Sequence, residues 1–397
     1  MTKKLSITVL VVVIALLTLG GLIARAGAPA FLPSPESNTV LEAALASDGT
    51  RLILFYDYFV PGTHDYTYKI KEWKNSGWEQ LHQGSSDIFM QPDVAVRGAA
   101  IVASGLILGY GSQYVARYIT NYSGSWVTGT SQAGNNSCKV PRVAFAFGVP
   151  YMSYTVLDFN TSIQKLFLVC LAGCTGLPEL TGFMRVFGPF NSWNVGDAAL
   201  AGDSAAVYSA FVSPGGPGPS GAMGCVNVRK LDPGSSPYLG PCFFQGDVYT
   251  NVEIALFTGY PVVGWTESEG EVLRVSEWNG ADWVALGMFR APRGHTSSRF
   301  KIATSGSRIY VVRQTKPRDI SVDNTQIVLS QYNGSSWSNF TLFNGPGRST
   351  VNFQGLAVYQ DQPVVAYLDN GVLKILRVDT GDGTKPKSLP WLPLLLE

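Results

Sequence analysis

Three glutamates, Glu267, Glu269 and Glu271, alternate along a short polar stretch, a spacing that sets them on one face of a strand end or hairpin tip. Carboxylates gathered in this way can hold a cation, or can flank a glycosidic bond as the acid and base of a hydrolase. The plainer reading is a solvated tip, because charge runs mostly serve as hydrated surface. Asp379-Thr380-Gly381-Asp382-Gly383 matches half of a calcium loop but lacks the full ligand pattern, so it reads as a turn. The three histidines, His64, His82 and His295, fall in different parts of the chain, with no second His or Cys at ligand spacing. The G-x-S-x-G elbow, the phosphate loop and the dinucleotide fingerprint are missing. The sequence thus points to no catalytic residue, no metal site and no cofactor, with calcium the one ion that the acidic tips leave open.

Cysteine spacing suggests structure instead. Cys170 and Cys174 are separated by Leu-Ala-Gly, which suits a hairpin tip, and Cys225 and Cys242 flank a turn-rich stretch that could staple neighbouring strands. Cys138 is then left over. Four cysteines allow three pairings, so both bridges are expectations from spacing alone. Disulfides fit an oxidising compartment, and the N-terminus carries the matching address. Lys3 and Lys4 precede an apolar run from Ile7 to Ile23, followed by Ala24-Arg25-Ala26-Gly27-Ala28. That order is a secretory signal cut after Ala26, with an uncleaved anchor through residues 7–23 as the alternative. The expected product is secreted, or tethered to the outer face of the membrane. The sequons at Asn121, Asn135, Asn160, Asn333 and Asn339 read as turn composition.

Of 397 residues, 46% are apolar and 12% aromatic, enough for a large core, and only 14% are charged. The 29 basic and 28 acidic residues leave a net charge of +1, with no basic block beyond the N-terminus, so nucleic acid is not an expected partner. Abundant Gly (43) and Pro (23), scattered throughout, suit many short strands joined by turns.

Those strands repeat at a period of about 50 residues, the signature of a repeat architecture. In the clearest unit, Val252–Phe257 is followed by a Gly259-Tyr260 turn and by Pro261–Trp265. Leu273–Trp278 alternates apolar and polar residues, Asn279-Gly280 signals a hairpin, and Trp283–Gly287 returns. Four antiparallel strands make one propeller blade. An alanine marks the first strand of each unit: Ala44, Ala95, Ala144, Ala199, Ala255, Ala303 and Ala357. Second strands are expected at Leu52–Tyr58, Leu106–Tyr110, Pro150–Tyr154, Ala206–Phe211, Ile309–Val312 and Pro363–Tyr367. The hairpin recurs as Trp73/Trp78 and Tyr332/Trp337, and in shorter form as Tyr122/Trp126. Aromatics five apart across a two-residue turn face each other and pack the next blade, so Trp73, Trp78, Trp126, Trp278, Trp283, Tyr332 and Trp337 are expected to be structural. The fold expected is all-β, a seven-bladed β-propeller of four-stranded antiparallel blades. The chain divides into a leader or anchor (1–26), a linker (27–40), the propeller (41–380) and a tail (381–397). The last unit has three clear strands, and its fourth is open between Phe31–Ser37 and the tail Leu389–Leu396.

The hairpin Trp278–Gly287 resembles the W-N-G-x-x-W-x-x-L-G blade ends of exported bacterial β-propellers, and the chain after residue 40 is distantly similar to kelch and lectin-type propellers. It departs from them in lacking the kelch Gly-Gly doublet, the sialidase Asp-box and the Gly-His…Trp-Asp signature, so no functional residue carries over. The clefts and loop-rich faces of a propeller, with low charge and many Tyr, Trp and Asn, suit a binding or interaction module for a glycan or an extracellular protein, expected to act as a monomer. Two alternatives remain: a polysaccharide-active hydrolase or lyase, and an anchored structural protein of the envelope.

Overall fold

The computed structural model describes residues 29–62, 65–86, 88–108, 113–130, 137–158, 163–174, 184–185, 198–214, 224–232, 238–240, 244–246, 248–267, 270–347 and 350–381. The leader with its Ala26 cut site, the apolar run 7–23, the tail from 382, and His64, Cys242 and Glu269 lie outside them.

The short strand β1 (Ala30–Leu32) precedes the blades. Blade 1 is β2 (Val40–Ser47), β3 (Leu52–Phe59), β4 (Tyr66–Lys74) and β5 (Gly77–Ser86). Blade 2 is β6 (Met90–Arg97), β7 (Ala100–Leu108), β8 (Tyr114–Thr120) and β9 (Val127–Thr130). Blade 3 is β10 (Ser137–Ala146), β11 (Val149–Asp158), β12 (Ile163–Cys170) and β13 (Met184–Arg185). Blade 4 is β14 (Ala198–Gly202), β15 (Val207–Pro214), β16 (Gly224–Leu231) and β17 (Phe244–Gly246). Blade 5 is β18 (Val248–Phe257), β19 (Tyr260–Glu267), β20 (Val272–Trp278) and β21 (Trp283–Arg290). Blade 6 is β22 (His295–Ser305), β23 (Arg308–Pro317), β24 (Thr325–Tyr332) and β25 (Trp337–Gly345). Blade 7 is β26 (Val351–Tyr359), β27 (Gln362–Asp369) and β28 (Val372–Arg377). All seven sheets are four-stranded and antiparallel, and β1 completes the seventh.

First strands touch in the order β2, β6, β10, β14, β18, β22, β26 and back to β2, so the sheets close a seven-bladed β-propeller. Every marker alanine lies on a first strand: Ala44, Ala95, Ala144, Ala303 and Ala357 line the space around the axis, while Ala199 and Ala255 pack between blades. Second strands are buried on both faces, as β3, β19 and β27 show, which is why they read as unbroken apolar runs. Their alternate residues enter different cores. Leu52, Leu54 and Tyr56 pack with Val364 and Leu373 of blade 7, while Ile53 and Phe55 pack with Val94 and Ile101 of blade 2. The core therefore lies between blades, and a lone blade could not bury either face.

Two expectations need correcting. The second strand of blade 2 is Ala100–Leu108, not Leu106–Tyr110. Its best-buried run, Ile101-Val102-Ala103, follows a tight turn at Gly98, and Gly105 is hemmed in by the Phe89 ring, so the small residues that disguised the strand are a packing requirement. The stretch 27–40, read as a linker, contributes β1, whose Ala30, Phe31 and Leu32 pair with Arg377, Leu376 and Ile375. Of the two closing segments weighed, the described structure uses the N-terminal one. After β1 the chain is strapped across blade 1. The Pro33 carbonyl accepts from the Trp78 indole at 3.0 Å, and Glu36 accepts from Lys69 at 2.7 Å and from the Tyr56 hydroxyl at 3.2 Å. Burial opposes ionisation of Glu36, but the Lys69 ammonium and the Asn38 and Ser37 amides outweigh it and hold the carboxyl below its ordinary range.

Candidate functional site

The seven inner strands enclose an axial recess of about 660 Å³. Six of these strands carry a register shift near their start, between Val40 and Glu42, Met90 and Asp93, Lys139 and Arg142, Val248 and Val252, Ser297 and Arg299, and Phe353 and Gly355. A bulge bends its strand and re-aims the following side chains. Two residues before each marker alanine, the same position then carries Glu42, Asp93, Arg142, Glu253, Lys301 and, in blade 7, Gly355; the blade 4 counterpart, Asp197, lies outside the described residues.

This belt is tied together across blades. Lys301 Nζ lies 3.0 Å and 3.1 Å from the two Glu253 oxygens and 3.7 Å from Asp93. Arg142 reaches Glu253 at 3.6 Å, and Arg299 reaches Glu42 at 3.9 Å. Blades 6 and 2 are three places apart in the ring, so the Lys301–Asp93 pair spans the axis and floors the recess. The same carboxylates cap neighbouring backbone. Asp93 accepts from Val143 N at 2.9 Å, and Glu42 from Gln91 N at 2.7 Å. Side-chain amides do the same, Gln91 accepting from Val140 N and Gln354 from Ala43 N. Beside this floor, buried Asp57 accepts from the amides of Glu42 and Phe89, both at 3.1 Å. Burial pushes its carboxyl up to about 7, with the Glu42 charge acting in the same direction and the two amide donors resisting.

Above the floor the wall is mostly small or aliphatic, with Ala46, Ala95, Gly202, Ala303 and Ala357 among its residues. The opposite mouth is polar, formed by Asp48, Arg97, Asp203, Ser204 and Ser305. Bonds between neighbouring blades lace it. Gly98 N donates to Asp48 at 3.0 Å, Phe147 N to the Asp203 carbonyl at 2.8 Å, and Ser305 Oγ to Asp361 at 2.8 Å.

The residues singled out from sequence lie elsewhere. Glu267 is buried against the Trp265 indole at 3.0 Å and Arg274 at 2.5 Å, whereas half-exposed Glu271 pairs with Arg318 at 3.1 Å, so these two do not share an open site. Asp379 caps the turn amide of Gly381. His82 is an inter-blade residue, stacked on Trp126 at 4.6 Å, and burial lowers its pKa. His295 faces the Arg293 carbonyl. Cys170 and Cys174 are bonded; Cys225 is also disulfide-bonded, and Cys138 is a buried thiol. Among the described residues no group of three or more His, Cys, Asp or Glu could hold a metal ion.

The aromatic hairpins join blades at the rim. Trp73/Trp78, Trp278/Trp283 and Tyr332/Trp337 are cross-strand neighbours with centroids 5.4, 5.6 and 5.1 Å apart. The second aromatic of each hairpin also grips the preceding blade. Trp283 Nε1 donates to Leu239 O at 2.6 Å, Trp337 Nε1 to Leu286 O at 2.8 Å, and Trp78 to Pro33 O. This explains the Leu-Gly that closes the hairpin motif: Leu286 supplies the acceptor, and a Cβ on Gly287 would stand 2.6 Å from Trp337 Nε1.

Sequence inspection missed the axial belt because its members are about 50 residues apart and belong to no local motif. The signal that could have found it is the offset of two from the marker alanines.

Chain comparisons agree with the architecture. No protein-family model matches the chain, and no curated protein matches it. Among solved structures it is similar to the β-propeller domain of the Trilobed protease from Pyrococcus furiosus, described as having an open velcro topology. The TM-score is 0.51 at 8% identity, covering 88% of this chain and 95% of that one. That likeness is one of fold.

Proposed function

We propose that this chain is an exported binding propeller that recognises a glycan, or else a protein partner, at the cell surface, acting as a monomer without a cofactor. The axial recess carries the reading. It is a concave site of the size that small ligands and chain ends occupy, about 300–1,000 Å³, built from all seven blades and furnished with fixed polar groups. Export rests on the basic, apolar and small-residue order of the first 28 residues. The exported-propeller likeness of Trp278–Gly287 belongs to the same reading, although the described contacts explain that motif as blade packing.

A glycan array probed with residues 27–397, with and without calcium, tests it. Saturable binding to a defined glycan is expected, unchanged by chelator. A blank array moves the search to surface proteins. Release of shortened sugar from the bound glycan would favour the polysaccharide-active enzyme, for which Asp93 and Glu253, both within ion-pair reach of Lys301, are the carboxylates to examine.

A further inference from the structure

The inner strand of each blade pairs with its second strand along one edge and turns the other edge to the axis. Backbone N–H and C=O groups on such an edge need partners. At the floor, side chains supply some of them, as Asp93 does for Val143 N and Gln354 for Ala43 N. Higher up, Thr304 Oγ1 donates to the Leu256 carbonyl, and the alanines and glycines of the wall put little side-chain bulk between the remaining backbone and the recess. Seven edges converge radially there. An extended peptide can ladder with one edge, or with two if it is sandwiched. A sugar ring carries hydroxyls around its whole perimeter, each both donor and acceptor, and so suits a radial set of amides and carbonyls.

The floor selects by charge. Glu253 is matched by Lys301 and Arg142, and Asp93 by Lys301. A charged ligand would have to break a pair and leave one partner buried and uncompensated. A hydroxyl can hydrogen-bond to the ionised groups with the pairs intact, and bonds to charged groups are the stronger kind.

Resting on the binding role above, we propose that the recess takes the end of a neutral, hydroxyl-rich glycan, which enters past Asp48, Arg97 and Ser305 and stops at the Asp93–Lys301–Glu253–Arg142 floor.

The test is an array of neutral gluco-, galacto- and manno-oligosaccharides, each beside its uronic-acid and amino-sugar counterpart, probed with the full ring and two variants. Ala95→Leu/Ala303→Leu narrows the recess without touching the rim. Glu253→Gln/Lys301→Met alters the floor while conserving its net charge, and serves if the first variant fails to fold. Wild type is expected to bind a neutral member at least tenfold more tightly than its charged counterparts, and each folded variant to lose at least tenfold. If wild type binds and both variants bind equally well, the recess is not the site, while the binding role survives. Preference for a charged counterpart overturns the neutral-ligand assignment. A blank for all glycans overturns the inference and leaves the role to a protein partner.

Discussion

At the rim, the outer strands of blades 1, 5 and 6 run for ten, eight and nine residues, and each carries a tryptophan beside its opening hairpin. In blade 7 the closing strand β1 has three residues, and the outer strands of blades 2, 3 and 4, described over four, two and three residues beside undescribed ones, carry no such tryptophan pair. At the axis the blades instead keep one plan, a small residue at the marker position and, in six of them, a bulge just before it. The rim joins blades through large rings and indole N–H bonds; the axis joins them through short side chains that cap a neighbour's backbone. A rim contact can be dropped from one blade if another device replaces it, whereas an axial strand meets two neighbours in a space that admits little change. Variation is therefore tolerated at the rim, while at the axis the chemistry of the belt is what varies.

Breaking the rim should cost most where the hairpin is complete. Trp337→Ala removes the stack on Tyr332, the edge contact with Phe289 at 4.8 Å and the bond to Leu286 O. For a half-buried aromatic a loss of about 3 kcal/mol is expected by denaturant unfolding. Gly287→Ala attacks the same contact from the other blade, because its Cβ cannot coexist with the present Trp337 position. It should cost about 1–3 kcal/mol, and the double variant should cost less than the sum. Additive losses would show that Gly287 does not make room for that indole.

The axis should respond to pH instead. Asp57 has a folded pKa near 7, against 3.8 for an ordinary aspartate. Between those values the unfolded chain has released its proton and the folded chain has not, so wild type loses stability as pH rises from about 4 to about 7. Asp57→Asn cannot titrate and offers one acceptor to two buried amides, a deficit of about 2 kcal/mol at pH 5. That deficit should close or reverse by pH 8, because wild type loses about 3 kcal/mol as pH rises from 5 to 8 against the raised pKa of the buried carboxyl. A gap that is constant from pH 5 to pH 8 would contradict a protonated Asp57 in the folded ring.

How much of this was legible in the sequence follows the same division. The rim hairpins are local, five residues across a turn, so Trp278 and Trp283 announce their strand pair and its register. The alanine marks gave seven blades because their period survives in units where the aromatic hairpin is shortened or absent. Closure was legible only as a choice between two termini, since three residues of β1 carry no period of their own. The axial belt was not legible as a site, because Lys301 and Asp93 meet only after three blades intervene. Glu267 and Glu271 misled for the complementary reason: their alternation is real, but burial and separate arginine partners take them apart.

Blade 3 tests whether a covalent link stands in for the missing hairpin. Cys170 ends its third strand, where blades 1, 5 and 6 place their first aromatic, and its bond to Cys174 closes a loop of separation four. So short a loop stabilises by about 2 kcal/mol at most. Cys170→Ser/Cys174→Ser should lower the thermal midpoint by a few degrees while the Trp337 contacts keep their effect. A collapse of the whole ring would mean that blade 3 holds more of the closure than its lack of an aromatic hairpin suggests.

The smallest effects separate two lysines of one strand. Lys69 and Lys74 both lie on β4 and both bind a glutamate at 2.7 Å, Glu36 and Glu79 respectively. Lys74 projects from an exposed hairpin tip, where side-chain entropy and solvent screening cancel most of the attraction, so Lys74→Ala should be indistinguishable from wild type. Glu36 is part of the strap that follows β1, with only 7% of its side chain exposed. Its carboxyl is depressed when folded, so its contribution is complete above the ordinary glutamate value and is lost as pH falls through the folded one. Glu36→Gln should cost about 1 kcal/mol at pH 7 and nothing at pH 2. Hydrogen exchange at the β1–β28 pairs reads the difference directly: faster exchange at Ile375 and Arg377 in Glu36→Gln, but not in Lys74→Ala, is expected if the strap holds the closing strand. Equal exchange in the two variants would place the closure in the three-residue ladder alone.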